Sequence, residues 1–275
     1  MPKSSSPIGI FDSGYGGLTV FKEIVNVLPR YDYIYLGDNA RVPYGIRSFD
    51  TVYNYTLECV RHLFSMGCRL VILACNTASA KALRNIQQHD LPKFKDPHKV
   101  LGVIRPTSEL IGNLSASGHV GIMATKGTVN SESYVIEIEK FFPDVKVFKQ
   151  ACPMFVPLVE DNEHYSAGAD YFVKKYIDGL LGQSSKIDTI VLACTHYPLL
   201  MDKIQEFLPN KIRLFSQGKI VAKSLADYLS RHPEIEALCS RNGKYEFYTT
   251  ESTEDFDMKA TTFFGKPVAS SLLHL

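Results

Sequence analysis

The chain predicts an α/β fold of two similar, doubly wound lobes with mainly parallel sheets, related by internal duplication, with a site in the cleft between them. Three observations carry that expectation. Short β-branched runs alternate with amphipathic stretches. The pattern recurs once, in order, in the second half. Each copy ends a buried run on an Ala-Cys pair, at Cys75 and at Cys194.

The elements follow in order. Residues 8–11 (Ile-Gly-Ile-Phe) read as a first strand, after which Gly14, Gly16 and Gly17 open a helix over residues 18–28. Val20, Phe21, Ile24, Val27 and Leu28 keep helical spacing, and Pro29 ends it. Residues 33–36 form a second strand and residues 37–45 a turn-rich loop. Residues 51–66 read as a helix, 70–73 as a strand ending near Cys75, and 79–88 as another helix. Further strands are expected over 100–104, 120–123, 145–148 and 190–192.

The repeat joins these pieces. Ile8-Gly9-Ile10-Phe11-Asp12-Ser13 lines up with Val120-Gly121-Ile122-Met123-Ala124-Thr125, and Val42-Pro43-Tyr44 with Val156-Pro157-Leu158. Val71-Ile72-Leu73-Ala74-Cys75-Asn76 lines up with Ile190-Val191-Leu192-Ala193-Cys194-Thr195. Each match is short, but three in one order point to two related lobes. The charged, proline-bearing stretch 91–99 suggests the first crossing and Pro209-Asn210 the return. The first lobe is thus expected over residues 1–98 plus 210–275, and the second over 99–209.

Composition excludes several classes. With 30 Lys+Arg against 29 Asp+Glu, the 275-residue chain has no basic excess for nucleic acid or anionic membrane. Apolar runs such as 190–194 are far short of a membrane span. The start, residues 1–7, is polar and lacks an apolar signal region, so the expected compartment is cytoplasmic. The six cysteines are then expected as reduced thiols. No C-x-x-C pair or histidine spacing suggests a metal site. Cys59, Cys68, Cys152 and Cys239 read as packing residues.

Cys75 and Cys194 read differently. In open α/β sheets ligands sit beyond the carboxyl ends of strands. Both cysteines occupy such ends and are followed by polar residues, Asn76-Thr77 and Thr195-His196. A helix start near a thiol is expected to lower its pKa, and His196 is placed to relay a proton. Inverting a carbon centre needs a base on one face and an acid on the other, roles that a thiolate and a thiol exchange between directions. Ser13-Gly14-Tyr15-Gly16-Gly17 offers backbone N–H groups to a carboxylate or phosphate. It is not G-x-G-x-x-G, so nucleotide binding is the weaker reading.

Four segments make a resemblance specific: Phe11-Asp12-Ser13-Gly14-Tyr15-Gly16-Gly17-Leu18, Gly37-Asp38-Asn39-Ala40-Arg41-Val42-Pro43-Tyr44-Gly45, Ala74-Cys75-Asn76-Thr77-Ala78-Ser79 and Cys194-Thr195-His196-Tyr197-Pro198-Leu199-Leu200. Together they resemble the motif set of the bacterial glutamate racemases, from about residue 8 to 229. Residues 245–265 resemble that family's closing strand and helix. The resemblance implies a cofactor-independent, two-base racemase that interconverts L- and D-glutamate without pyridoxal phosphate and supplies D-glutamate for peptidoglycan. It implies a cytoplasmic homodimer. By matching motif, Cys75 would take the α-proton from D-glutamate and Cys194 from L-glutamate, assisted by Asp12, His196 and Glu160. Substrate contacts would fall on Asp12, Ser13, Pro43, Tyr44, Gly45, Asn76, Thr77, Thr125, Thr195 and His196.

The chain departs from the family pattern at Arg105 (usually Glu), Asn39 (Thr or Ser), Tyr15 (aliphatic) and Ala193 (Gly). None removes a catalytic group. Two alternatives stay open: an aspartate or hydantoin racemase, or a related decarboxylase, on the same plan, and a non-catalytic two-lobed amino-acid-binding protein.

Overall fold

A computed structural model describes residues 6–275; the polar start, residues 1–5, lies outside them. The strands are β1 (Ile8–Asp12), β2 (Tyr33–Gly37), β3 (Leu70–Leu73), β4 (Lys99–Gly102), β5 (His119–Ala124), β6 (Lys146–Ala151), β7 (Thr189–Ala193), β8 (Arg213–Ser216), β9 (Tyr245–Thr249) and β10 (Ser270–Leu272). They form a six-stranded sheet ordered β10-β9-β2-β1-β3-β4 and a four-stranded sheet ordered β6-β5-β7-β8. Every pairing is parallel. The run β2-β1-β3-β4 has the same order as β6-β5-β7-β8, which places the repeated segments at equivalent positions in the two lobes.

The central strands β1, β2, β3 and β7 are buried along their whole length. They read as continuous apolar runs because helices cover both faces of a parallel sheet. The helix Leu18–Val27 turns Leu18, Val20, Phe21, Ile24 and Val25 inward. Val27, expected in that stripe, is 42% exposed and Val25 takes its place. This helix packs against Gly218–Arg231. Phe21 also meets the tail, with ring centroids 5.3 Å from Phe264 and 6.0 Å from Phe247, so the chain's end is built into the first lobe.

The sheets divide the chain later than expected at both crossings. Residues 99–102, assigned to the second lobe, are β4 and pair with β3 in the first sheet. Residues 213–216, assigned to the first lobe, are β8 and pair with β7 in the second. The helix Ile104–Leu114 follows β4 and lies with the second lobe's core, while Gly218–Arg231 follows β8 and returns to the first. Each crossing is thereby reduced to a single residue outside regular structure, Val103 and Gln217. The helix expected over 79–88 begins earlier, at Asn76, because Cys75 itself is the N-cap.

One carboxylate ties the second lobe's loops together. Asp188 accepts from the Ser115 hydroxyl at 2.6 Å and from the backbone N–H groups of Ala116 and Ser117 at 2.8 and 2.7 Å. Partial burial opposes its charge, but these donors prevail and hold the carboxyl down to about 2. A depressed folded-state pKa means stability present above the unfolded value of ~3.9 and lost as pH falls through about 2. Asp188→Ala is expected to cost about 1.5–3 kcal/mol at neutral pH. Urea unfolding at pH 7 and pH 2 checks this: the deficit at pH 7 should shrink at pH 2, and an equal deficit at both counts against it.

Candidate active site

In both lobes the site residues leave the sheet at its switch point, where neighbouring strands send their connections to opposite faces and open a crevice. From the first lobe come Asp12 at the end of β1, Ser13 just beyond it and Cys75 after β3; from the second come Thr125 after β5 and Cys194 after β7. The cysteines are nearly enclosed, with 6% of Cys75 and 7% of Cys194 exposed. They are near enough that charge on Cys194 raises Cys75.

Each sulfur has its own surroundings. The Sγ of Cys75 accepts from the Ala78 N–H at 3.4 Å and lies 3.5 Å from the Ser13 hydroxyl. The expectation that a helix start would lower this thiol is overturned. Burial pushes Cys75 up to about 12 and the Asp12 charge adds to it, outweighing the bonds from Ala78 and Ser13. Asp12 is fully buried, accepts from the Gly14 N–H at 3.0 Å and meets the Thr195 hydroxyl at 3.5 Å. Burial raises its carboxyl, against the pull of His196.

Cys194 is paired with His196, whose Nε2 lies 2.8 Å from Glu160 Oε1. Burial by itself would discharge the ring. Cys194 and Glu160, by hydrogen bonds and charge, outweigh that and lift His196 up to about 10. At neutral pH the site therefore holds a thiol at Cys75 and an imidazolium beside Cys194.

Close packing of the lobes depends on glycine. A Cβ on Gly16 would stand 2.3 Å from Thr195 Oγ1 and 2.4 Å from His196 Nδ1. The Thr19 hydroxyl next to this turn donates to the Thr195 carbonyl at 2.9 Å. A Cβ on Gly45 would meet that of Thr125 at 2.9 Å, so the 37–45 loop also crosses to the second lobe. There Thr77, Thr125 and Thr128 share hydroxyl contacts of 3.0 to 3.4 Å.

Not every expected substrate contact presents its side chain. The Tyr44 hydroxyl donates to Asp38, which also holds Arg41 at 2.7 Å and Thr250 at 2.9 Å. Pro43 is exposed at the rim. Both ends of the Asn76 amide are engaged, by Gln217 at 2.8 Å and Tyr134 at 2.7 Å. What Asn76 and Thr77 offer at this helix start is backbone N–H. Sequence reading missed Phe263, whose ring stands edge-on to His196 at 5.3 Å, and the buried residue Gln217. Tyr15 is packed on Phe256 and Phe263, which accounts for a ring where an aliphatic residue is usual. Arg105 pairs with Glu109 at 2.8 Å on an exposed helix face, apart from the cysteines.

A site with a thiol on one lobe and a protonated histidine on the other suits inversion at carbon, and the similar proteins are racemases. The Asp/Glu/hydantoin racemase family profile matches residues 8–225. A glutamate racemase of Geobacter metallireducens is 39% identical, covering 94% of this chain and 92% of its own. Among solved structures, glutamate racemase RacE1 of Bacillus anthracis superposes with a TM-score of 0.88 at 32% identity, covering 99% of this chain and 98% of its own. That of Francisella tularensis, solved in complex with D-glutamate, gives 0.86 at 30%, covering 98% and 97%. The chain belongs to the Asp/Glu/hydantoin racemase family and is an enzyme, an amino-acid racemase.

Proposed function

We propose that this protein is a glutamate racemase in which Cys75 and Cys194 act as a thiol–thiolate pair, and that it supplies D-glutamate for peptidoglycan as a cytoplasmic homodimer. The observation that carries the reading is the pair of nearly enclosed cysteines at equivalent strand ends, one beside Ser13 and one beside His196, which Glu160 holds. The D-glutamate in the Francisella tularensis relative supports the substrate.

With L-glutamate in the cleft, the Cys194 thiolate takes the α-proton and the Cys75 thiol delivers one to the opposite face. The C–H electron pair stays on carbon until that second proton arrives. Negative charge passes from one sulfur to the other, so the site's total is unchanged. D-glutamate runs the sequence backwards. Asp12 and Ser13 serve Cys75, and His196 with Glu160 serves Cys194. Hydroxyls of Ser13, Thr125 and Thr195, with N–H groups of Gly45, Asn76 and Thr77, hold the two carboxylates. Fixed donors aimed at developing charge are the largest catalytic resource in a dry site.

The test follows L-glutamate with purified protein in D₂O, without added cofactor, by circular dichroism and α-proton NMR. Aspartate is run in parallel. Loss of optical rotation with deuterium uptake supports the reading. Glutamate left unlabelled while aspartate racemises would transfer the activity to the aspartate branch.

His196 adds a pH prediction. The relay works as the imidazolium, so kcat/KM should fall as pH rises through about 10. Glu160→Gln removes one influence that keeps the ring protonated, so this alkaline limb should move to lower pH. L- and D-glutamate have equal free energy, so both directions share one profile. A limb that stays in place excludes Glu160 from the relay.

A further inference from the structure

The crossing residue Gln217 belongs to a closed ring of hydrogen bonds one residue away from Cys75. Its Nε2 donates to the Tyr134 hydroxyl at 2.6 Å, that hydroxyl donates to Asn76 Oδ1 at 2.7 Å, and Asn76 Nδ2 donates back to Gln217 Oε1 at 2.8 Å. The other Nε2 hydrogen of Gln217 is shared between the Val103 carbonyl at 3.1 Å and Thr107 Oγ1 at 2.9 Å. The directions are forced. A carbonyl only accepts, so the nitrogen of Gln217 must face Val103. That leaves its oxygen to accept from the nitrogen of Asn76, and the oxygen of Asn76 to accept from Tyr134. Asn76, Thr107, Tyr134 and Gln217 are all at most 4% exposed.

The placement matters more than the bonds alone. Gln217 is one crossing between lobes and Val103 is the other. Tyr134 belongs to the helix Ser133–Phe141 of the second lobe. Asn76 is the first residue of the helix that Cys75 caps. The ring and its outer bond thus join both crossings and both lobes to the backbone bearing one sulfur. Cys194 has no such backbone link: no ring member adjoins it in sequence and its partner is His196, although the Tyr134 hydroxyl is near enough to feel its charge.

We infer that Gln217 and Tyr134 are positioning residues for Cys75: the Asn76–Gln217–Tyr134 ring sets where that sulfur points relative to the second lobe. This rests on the two-cysteine reading above and adds a control whose backbone link runs to Cys75. A fully satisfied buried ring is costly to break partway, because each remaining member loses a partner that water cannot replace. A change in lobe angle therefore moves Asn76, and with it Cys75, as a unit.

The experiment labels the full chain with iodoacetamide and measures, by mass spectrometry, the ratio of Cys75 to Cys194 modification. Tyr134→Phe opens the ring with least disturbance, and Gln217→Leu removes its centre. Ser108→Ala, which deletes a comparably buried hydroxyl on the Ile104–Leu114 helix outside the ring, is the control. Both ring variants are expected to shift the ratio by roughly threefold or more, and their double mutant to shift it no further than the larger single. The control should keep the wild-type ratio. Simple loosening of the hinge would speed both cysteines together and leave the ratio constant, which overturns the inference. So does a double mutant whose shifts multiply. Racemisation is measured on the same samples. If wild type does not racemise glutamate yet the ratio shifts, the glutamate reading falls and the ring's hold on Cys75 stands. In an active enzyme, the isotope effect with α-deuterated D-glutamate should rise in Tyr134→Phe and that with the L-isomer should not.

Discussion

Replacing either Cys75 or Cys194 with serine is expected to abolish racemisation while leaving each variant able to exchange the α-hydrogen of one enantiomer only. An alcohol is a far weaker acid than a thiol, so serine supplies neither the base nor the acid at neutral pH. Loss of one positioned proton-transfer group costs about 10²–10⁴ in rate, and both faces are needed for every turnover. Racemisation by each variant should fall by at least ~10³. The surviving cysteine still has its own face. Cys194 in Cys75→Ser removes the proton of L-glutamate, exchanges with D₂O and returns deuterium to the same face. That variant should label L-glutamate without inverting it, and Cys194→Ser should label D-glutamate alone. NMR of the two enantiomers in D₂O reads the outcome. A variant that inverts within tenfold of wild type would falsify the thiol pair, and label in both enantiomers would put the missing base elsewhere.

Gly16→Ala is expected to lower kcat/KM by about 10² with little change in fold. The new methyl carbon would stand 2.3 Å from Thr195 Oγ1 and 2.4 Å from His196 Nδ1, far inside contact distance. Neither neighbour is the loose end of a flexible side chain. His196 is anchored on Glu160, and Thr195 through its carbonyl on Thr19. The relay must therefore retreat by about an ångström, a displacement that misaligns proton transfer to this extent. Gly14→Ala, two residues away, meets only Val42 and Asn39 at 3.3 and 3.5 Å and should lose much less. Kinetics and thermal unfolding of the two variants separate the cases. Equal losses would mean that the whole turn, rather than contact with the second lobe, is at stake.

Much of this candidate site is legible in the sequence. Cys75 and Cys194 stood out because each ends a buried apolar run and the runs match. Asp12 and Ser13 followed from the same repeat, since β1 and β5 are equivalent strands. The assisting role of Glu160 came only from family resemblance, and its contact with His196 was not foreseen; 36 residues separate them in sequence, and no spacing rule brings them together. The first crossing was misplaced because β4, though read as a strand, carries no mark of which sheet it joins; the second because β8 is an edge strand with one fully buried residue, too little pattern to read. The early start of the Asn76–Lys81 helix was missed because cysteine is not a usual cap. The raised Cys75 thiol was missed for a different reason. Helix polarity can be read locally, whereas burial against Asp12 exists only once β1 and β3 lie side by side. Gln217 carried no signal at all, since an isolated glutamine in a loop is ordinarily solvated.

The insertion of one lobe within the other dictates an order of birth. The second lobe's strands, β5 to β8, lie in one uninterrupted stretch, so all its pairings are available once Ser216 has emerged from the ribosome. The first lobe must wait, because β2 takes β9 as a neighbour in register from Tyr33 against Tyr245. Until that late strand arrives, one edge of β2 is open, and open edges invite pairing with other chains. Cys75 therefore sits in the lobe completed late, and Phe263, which packs on His196 beside Cys194, arrives later still. A nascent chain stalled before Tyr245, with β2 open, is expected to be a target for chaperones and to lack racemase activity.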